Sequence, residues 1–269
     1  MKLKKQDTPE KRSRMKPDIQ TFIIYEDTHI IVCRKPAGIA VQTSRIGARD
    51  MVSLLKNYLF DMQEPYSPDT RPYGRQDGQK TIRHSREPYL AVIHRLDQPV
   101  EGLLVFAKTP KAAKELNRQL TSHSFGKYYH ALVTGIPDPS EGTLEDYLVK
   151  DARTNTSRVC AKDTPGSKLA RLHYRVDEIY KNTEPVTSLV KIRLDTGRHH
   201  QIRVQMAHLG CPLVGDQKYG EVSAYFGETC AKRTESPAHI KNSGPLRLCA
   251  YRLEFIHPET GKRLAFTLP

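Results

Sequence analysis

The chain has 269 residues, 38% apolar and 27% charged, with 43 Lys and Arg against 30 Asp and Glu for a formal charge of +13. That length holds one large domain or two modest ones around a real hydrophobic core, and no apolar run is long enough to suggest a membrane span. The positive surplus concentrates polyanions, which favours nucleic acid over an anionic membrane surface as partner, although solubility alone also accounts for basic chains.

In chain order, residues 1–20 are basic, lack apolar periodicity and read as a disordered tail that either is simply solvated or serves as a loose phosphate-binding arm. Its charged start carries no apolar export core, so the expected compartment is the cytoplasm. "TFIIYED" and "IIVCRKPAG" predict two strands joined by a tight turn at Glu26–Asp27. "RDMVSLLKNYLF" places Val52, Leu55 and Leu59 at helical spacing. Residues 61–89 carry Pro65, Pro68, Pro72, Pro88, Gly74 and Gly78, which is turn chemistry throughout and predicts a long functional or mobile loop.

"YLAVI" and "GLLVFAK" predict strands. A helix follows, with Thr109 as N-cap, Pro110 at its first position and Ala113, Leu116 and Leu120 as its buried stripe. "KYYHALVTG", "TLEDYLV", "LARLHYRV" and "SLVKIRL" read as strands. "RHHQIRVQMAHLG" reads as a short helix with Ile202, Met206 and Leu209 as its stripe, ended by Gly210 and Pro212. "LRLCAYRLEFIHP" and "RLAFTLP" close the chain as strands. Strands that follow one another directly, without a βαβ repeat, predict an α+β fold with a mixed, largely antiparallel central sheet flanked by helices and loops.

Among chemical motifs there is no Gly-rich nucleotide loop. Five cysteines without a C-x-x-C pair argue against a disulfide scaffold or zinc ribbon and predict reduced, mostly buried thiols. "HRLDQPVEGLLVFAK" puts Arg95 and Asp97 two residues apart, on one face if extended, at an elbow made by Pro99 and Gly102. Such a carboxylate can act as nucleophile, base or structural anchor, and on its own the pair reads as an ordinary surface ion pair. "DTGRHHQIRVQ" sets two histidines and two arginines within six residues, with His199 and Arg203 one helical turn apart, and lacks acid or Cys ligands at metal-site spacing. Tyr128 and Tyr129 point to opposite faces of their strand, so one can face a cleft as a stacking surface while the other packs.

Together and in this order, these segments resemble the RluA-type pseudouridine synthases, from about Tyr25 to the C-terminus apart from much of 61–89. "VCRKPAG" matches the family's opening segment, "HRLD…GLLVFAK" its catalytic motif, "KYYHALVTG" its tyrosine strand and "TGRHHQIRVQMAHLGCPLVGDQKYG" its most diagnostic stretch. The resemblance implies a catalytic domain over 21–269 that isomerises uridines of ribosomal or transfer RNA, needing no cofactor and no metal. It implies that Asp97 attacks C1′ or removes a proton from C2′, that Tyr129 stacks on the uracil, and that Arg203 pairs with Asp97 and keeps it ionised. It implies that Arg95 fills the gap left by the flipped nucleotide, with Lys35, His94, Arg198 and His199 completing the RNA-binding set; the role it favours for His94 and Lys35, as for the motif position Gly38, is shaping the site.

Two departures from the family pattern stand out. Val100-Glu101-Gly102 replaces Thr-Ser-Gly, adding a negative charge near the site, and Gln205 replaces a His. No S4-type RNA-binding segment is expected, and a monomer is the default expectation. The alternatives are a non-catalytic RNA-binding protein on the same scaffold, which could dispense with Asp97, and a metal-dependent nuclease built on His199 and His200.

Overall fold

The computed structural model describes residues 19–63, 87–122, 124–220 and 244–269. Residues 1–18, and with them nearly all of the expected tail, lie outside the described residues, as do residues 64–86 of the proline-rich loop and Cys230.

After a short 3-10 turn at Ile19–Phe22, the elements are β1 (Ile23–Glu26), β2 (Ile30–Lys35), α1 (Met51–Gln63), β3 (Ala91–Val92), β4 (Glu101–Ala107), α2 (Pro110–Thr121) and β5 (Gly126–Thr134). They continue as β6 (Glu141–Asp151), β7 (Thr156–Cys160), β8 (Lys168–Tyr180), β9 (Thr187–Leu194), α3 (Gln201–His208), β10 (Leu248–Ile256) and β11 (Arg263–Thr267). The strands form one 11-stranded sheet ordered β1-β2-β4-β10-β5-β9-β8-β6-β7, with β3 added to β4 and β11 to β10. Among the described pairings only β4 and β10 run parallel.

The apolar run of β4 is continuous because both its faces are covered. Leu104 and Phe106 pack into the core that holds Met51, Val52, Leu55 and Leu59 of α1. Leu103, Val105 and Ala107 pack on the other side with Ala112, Ala113 and Leu116 of α2. Asp50 starts α1, its carboxylate accepting from the N–H groups of Ser53 (2.7 Å) and Thr43 (2.7 Å). Thr109 caps α2 by accepting from the Ala112 N–H at 3.2 Å. Gly102 has φ +134, and a Cβ there would come within 2.5 Å of the Ala250 backbone, so the parallel contact with β10 requires glycine.

Three elements differ from the sequence expectation. The "YLAVI" strand shrinks to Ala91–Val92, because the chain leaves the sheet to form the Asp97 elbow. β7 pairs with β6 although its five residues carry too little apolar alternation to announce a strand. α3 begins only at Gln201, and His200 before it is left-handed with φ 54, so His199 and Arg203 do not share a helical face. Every residue of α3 from Gln201 to Ala207 is buried, so the helix is enclosed rather than striped. Cys33 and Cys211 are buried, Cys160 and Cys249 partly so, and all four are free thiols. Among the described residues no helix is long and apolar enough to cross a membrane.

Candidate active site

Asp97 is held by its neighbours in sequence. Leu96 and Val100 are buried at 7% and 2% exposure and fix the elbow in the core, while the Asp97 side chain between them keeps 27% of its surface. The Val100 N–H closes the turn on the Asp97 carbonyl at 3.0 Å. Lys35 fastens this turn from β2: its ammonium donates to the carbonyls of Pro36 (3.0 Å), Ile39 (2.7 Å) and Gln98 (3.1 Å). It is fully buried, and burial pulls its pKa down to about 8. Lys35 therefore departs from the expected RNA-binding set, since its donors are spent inside the protein and no surface remains for a phosphate.

Arg203 reaches the elbow from α3. Its Nη1 lies 3.4 Å from Asp97 Oδ2, but its stronger partner is Asp216, to which Nε and Nη2 each donate at 2.7 Å. The Asp216 side chain is wholly buried, and its Oδ1 also accepts the N–H groups of Lys218 (2.9 Å) and Tyr219 (3.1 Å). The guanidinium lies 5.1 Å from the centre of the Tyr219 ring. Arg203 is thus a fork with one arm left for Asp97. Burial pushes the Asp97 pKa up, Arg203 pulls it down, and Asp216 adds to the upward push, leaving it above the usual carboxylate value. The expected pairing of Arg203 with Asp97 is present as the 3.4 Å contact, although much of the guanidinium's charge is already matched by the buried Asp216 carboxylate.

Tyr129, on β5, is 6% exposed, and burial raises its phenol pKa well above the ordinary value, so it is a neutral ring at physiological pH. Tyr128 turns to the opposite face and donates to Glu254 at 3.4 Å. Asp97, Tyr129 and Arg203 line one cavity of about 780 Å³, whose wall also includes His94, Arg95, Arg198, His199, Lys127 and His200. Arg95 and Arg198 are exposed at its edge, anchored by bonds to Gln42 Oε1 (3.0 Å) and the Leu169 carbonyl (2.7 Å).

The part of the chain from residue 29 to residue 208, which holds Asp97, Tyr129 and Arg203, matches the family model described as RNA pseudouridylate synthase. The chain belongs to that family. Among its relatives, RNA pseudouridine synthase 2, chloroplastic, of Oryza sativa subsp. japonica is 32% identical over 94% of this chain and 62% of its own length. Ribosomal large subunit pseudouridine synthase D of Pseudomonas aeruginosa is 32% identical over 94% of this chain and 69% of its own. The chain therefore spans about three fifths to two thirds of these relatives. The solved structure of Human RNA Pseudouridylate Synthase Domain Containing 4 shares the fold, with a TM-score of 0.65 and 21% identity over 93% of this chain and 89% of that one.

Within this pseudouridylate synthase scaffold, two histidines are neutral rather than cationic. Burial pulls His94 down to about 3; its Nε2 accepts the Val105 N–H at 3.4 Å and its ring edges onto Phe125. Burial, helped by Lys150, Lys218 and Arg203, pulls His199 down to about 4, and its Nδ1 meets Ser157 Oγ at 2.9 Å. Neither supplies a positive charge to a phosphate near neutral pH, so their place in the RNA-binding set rests on shape and hydrogen bonding. The family departures are also resolved. Glu101 points to the outer surface and pairs with Arg34 at 3.1 Å, away from the cavity wall. Gln205 is buried and donates to Asp146 at 2.8 Å.

The sequence pattern alone assigns no role to Asp216, Tyr219 or Lys127. The signal for the first two was present as "GDQKYG", but their partnership with Arg203 spans a loop whose path the sequence does not give. Lys127 is 7% exposed, donates to the Thr196 carbonyl at 3.4 Å, and burial pulls it down to about 8. Among the described residues no group of three or more His, Cys, Asp or Glu is placed to hold a metal ion.

Proposed function

We propose that the chain is an RNA pseudouridine synthase in which Asp97 is the catalytic carboxylate. The observation that carries this reading is the convergence of Asp97, Tyr129 and Arg203 from three distant segments on one cavity. Ribosomal RNA is the favoured substrate class, supported by the name of the Pseudomonas aeruginosa relative; transfer RNA is the second. The working unit is residues 21–269, acting as a cytoplasmic monomer.

The cavity accepts a flipped nucleotide, whose extrusion costs roughly a few kcal/mol. Arg95 at the rim offsets part of this by stacking where the base has left. The uracil lies against the Tyr129 ring, which places the ribose beside Asp97. The carboxylate then attacks C1′ or takes the C2′ proton. The N1–C1′ bond breaks, the uracil rotates, and C5 bonds to C1′, either displacing the carboxylate oxygen from C1′ or with Asp97 returning the proton to C2′; the C5 proton leaves while N1 gains one. No atom is added and no electron is transferred in net, so the isomerisation needs no external reagent.

The test is release of tritium from RNA carrying [5-³H]uridine. Wild type should release it, and Asp97→Asn should fall by at least about 10³-fold, the scale of losing an essential catalytic group. Release no higher than background from both proteins, with RNA still bound, would mean a non-catalytic RNA-binding protein, and equal release above background would remove Asp97 from the catalytic role. Strand scission abolished by a chelator would mean a nuclease.

A further inference from the structure

Lys127 stands on the wall of the active-site cavity with its charge largely unanswered. Burial alternates along β5, so Lys127 and Tyr129 lie on one face of the strand, about 7 Å apart, and both line the cavity that holds Asp97. The ammonium end is at the wall itself: a Cβ added to Gly197, another wall residue, would stand 3.4 Å from Nζ. Lys127 is 7% exposed, yet for three N–H donors its hydrogen bonding among the described residues is one long bond, to the Thr196 carbonyl at 3.4 Å. Among the described residues no carboxylate forms an ion pair with it. Asp195 attracts it from further off, but that carboxylate is engaged by His173 (2.9 Å), Arg193 (3.2 Å) and Arg171 (3.4 Å), and Arg198 adds a like charge. A buried cation held this loosely costs stability, and its place on a cavity wall points to a partner that arrives with the substrate.

We propose that Lys127 is a further substrate-binding residue, whose ammonium donates to the carbonyl edge of the flipped uracil and holds that edge while the ring turns. This inference rests on the proposed synthase reading. Burial decides between the two kinds of oxygen that RNA offers. A backbone phosphate stays with the strand outside, where Arg95 and Arg198 are exposed, whereas the inner wall beside Tyr129 meets the base. The chemistry also calls for a cation at that edge. By either route at Asp97, the electron pair of the N1–C1′ bond passes to the uracil, and the charge spreads onto O2 and O4. An ammonium in a site shielded from water favours that charged ring more than it favours neutral uridine, so its contribution appears in the rate. Turning the ring about its N3–C6 line exchanges N1 with C5 and O2 with O4. A donor-only group that meets one carbonyl before the turn therefore meets the other after it. Burial and the Arg198 charge pull the Lys127 pKa down to about 8 against the attraction of Asp195, which leaves it mostly charged at neutral pH, and it keeps its proton throughout.

The experiment pairs the tritium assay with two readouts that a merely structural lysine would move differently. Lys127→Met keeps the apolar stem and removes the charge. It should lower kcat by about 10–100-fold, the scale of one hydrogen bond from a charged group, with KM changed less than about 2-fold. RNA binding measured on Asp97→Asn, with and without Lys127→Met, should show the same slope of log K against log salt, because no phosphate contact is lost. The urea midpoint of Lys127→Met should be no lower than that of wild type, because a loosely held buried charge has gone. Lys127→Gln, neutral and shorter, should lose at least about 5-fold in kcat, and it carries the test if the Met variant fails to fold by circular dichroism. Wild-type kcat in either variant overturns the inference. So does a salt slope lowered by about 0.7, which assigns Lys127 to a phosphate. A kcat loss accompanied by a lower urea midpoint overturns it too, by making Lys127 an anchor of the turn at 195–198. Wild-type protein that binds RNA and releases no tritium overturns the synthase reading itself.

Discussion

At the scale of single residues, the site depends on a buried cation shared unequally between two carboxylates. Arg203 gives two donors to Asp216 and one to Asp97. Replacing it with Ala removes the attraction that opposes burial at Asp97, so the Asp97 pKa should rise further. Because the proposed reaction uses the ionised form, the acid limb of the kcat/KM profile should move to higher pH in Arg203→Ala than in wild type. We expect kcat to fall by about 10²-fold or more, while RNA affinity from filter binding stays within a few-fold. Asp216 would be left as a buried carboxylate without its cation, which costs roughly 3–5 kcal/mol of stability in a denaturant titration. Loss of RNA affinity with turnover intact would contradict the role proposed for Arg203.

At the scale of elements, the β1–β2 turn is joined to the turn between β10 and β11 through Asp27. Its Oδ1 accepts the N–H groups of His29 (2.7 Å) and Ile30 (2.9 Å), and its Oδ2 meets the Tyr25 hydroxyl and His257 Nε2, each at 2.8 Å. Burial alone would raise the Asp27 pKa, but the backbone bonds from His29 and Ile30 and the side chains of Tyr25 and His257 outweigh it and hold it below the usual value. The sign follows: a depressed folded pKa contributes stability that is fully present above the unfolded value of about 3.9 and lost as pH falls through the folded one. Asp27→Ala should therefore cost about 2 kcal/mol near neutral pH and flatten the acid limb of stability against pH, read by urea melts at several pH values. The same network shows why the Glu26–Asp27 turn was legible. A short acidic turn between two apolar runs names a hairpin, whereas its distant His257 partner is decided only when β10 crosses the sheet beside β4.

At the scale of the whole molecule, the +13 charge bears on RNA affinity more than on the fold. Binding measured on Asp97→Asn should weaken with salt, and Arg198→Ala should lower the slope of log K against log salt by about 0.7, the contribution of one phosphate contact on a single strand. Lys35→Met should leave that slope unchanged while destabilising the protein, because Lys35 bonds three carbonyls inside it. An unchanged slope for Arg198→Ala, or a reduced one for Lys35→Met, would reverse those two assignments.

Local patterning by itself determined most elements. Alternation gave β5, β6, β8 and β9, the continuous apolar run gave β4, and Thr109-Pro110 gave the start of α2, because burial and capping act on residues close in sequence. The family resemblance also named Asp97, Tyr129 and Arg203 together, and the three line one cavity. Tertiary structure alone decided the rest: that Lys35 is a buried fastener, that Arg203 belongs first to Asp216, that His200 turns left-handed before α3, and that β7 joins the sheet edge. β7 rests on backbone ladder bonds to β6 that its side chains do not announce, while the first two depend on the direction of a polar side chain relative to its partners. The energy that sets that direction comes from partners and burial, neither of which exists until the chain has folded.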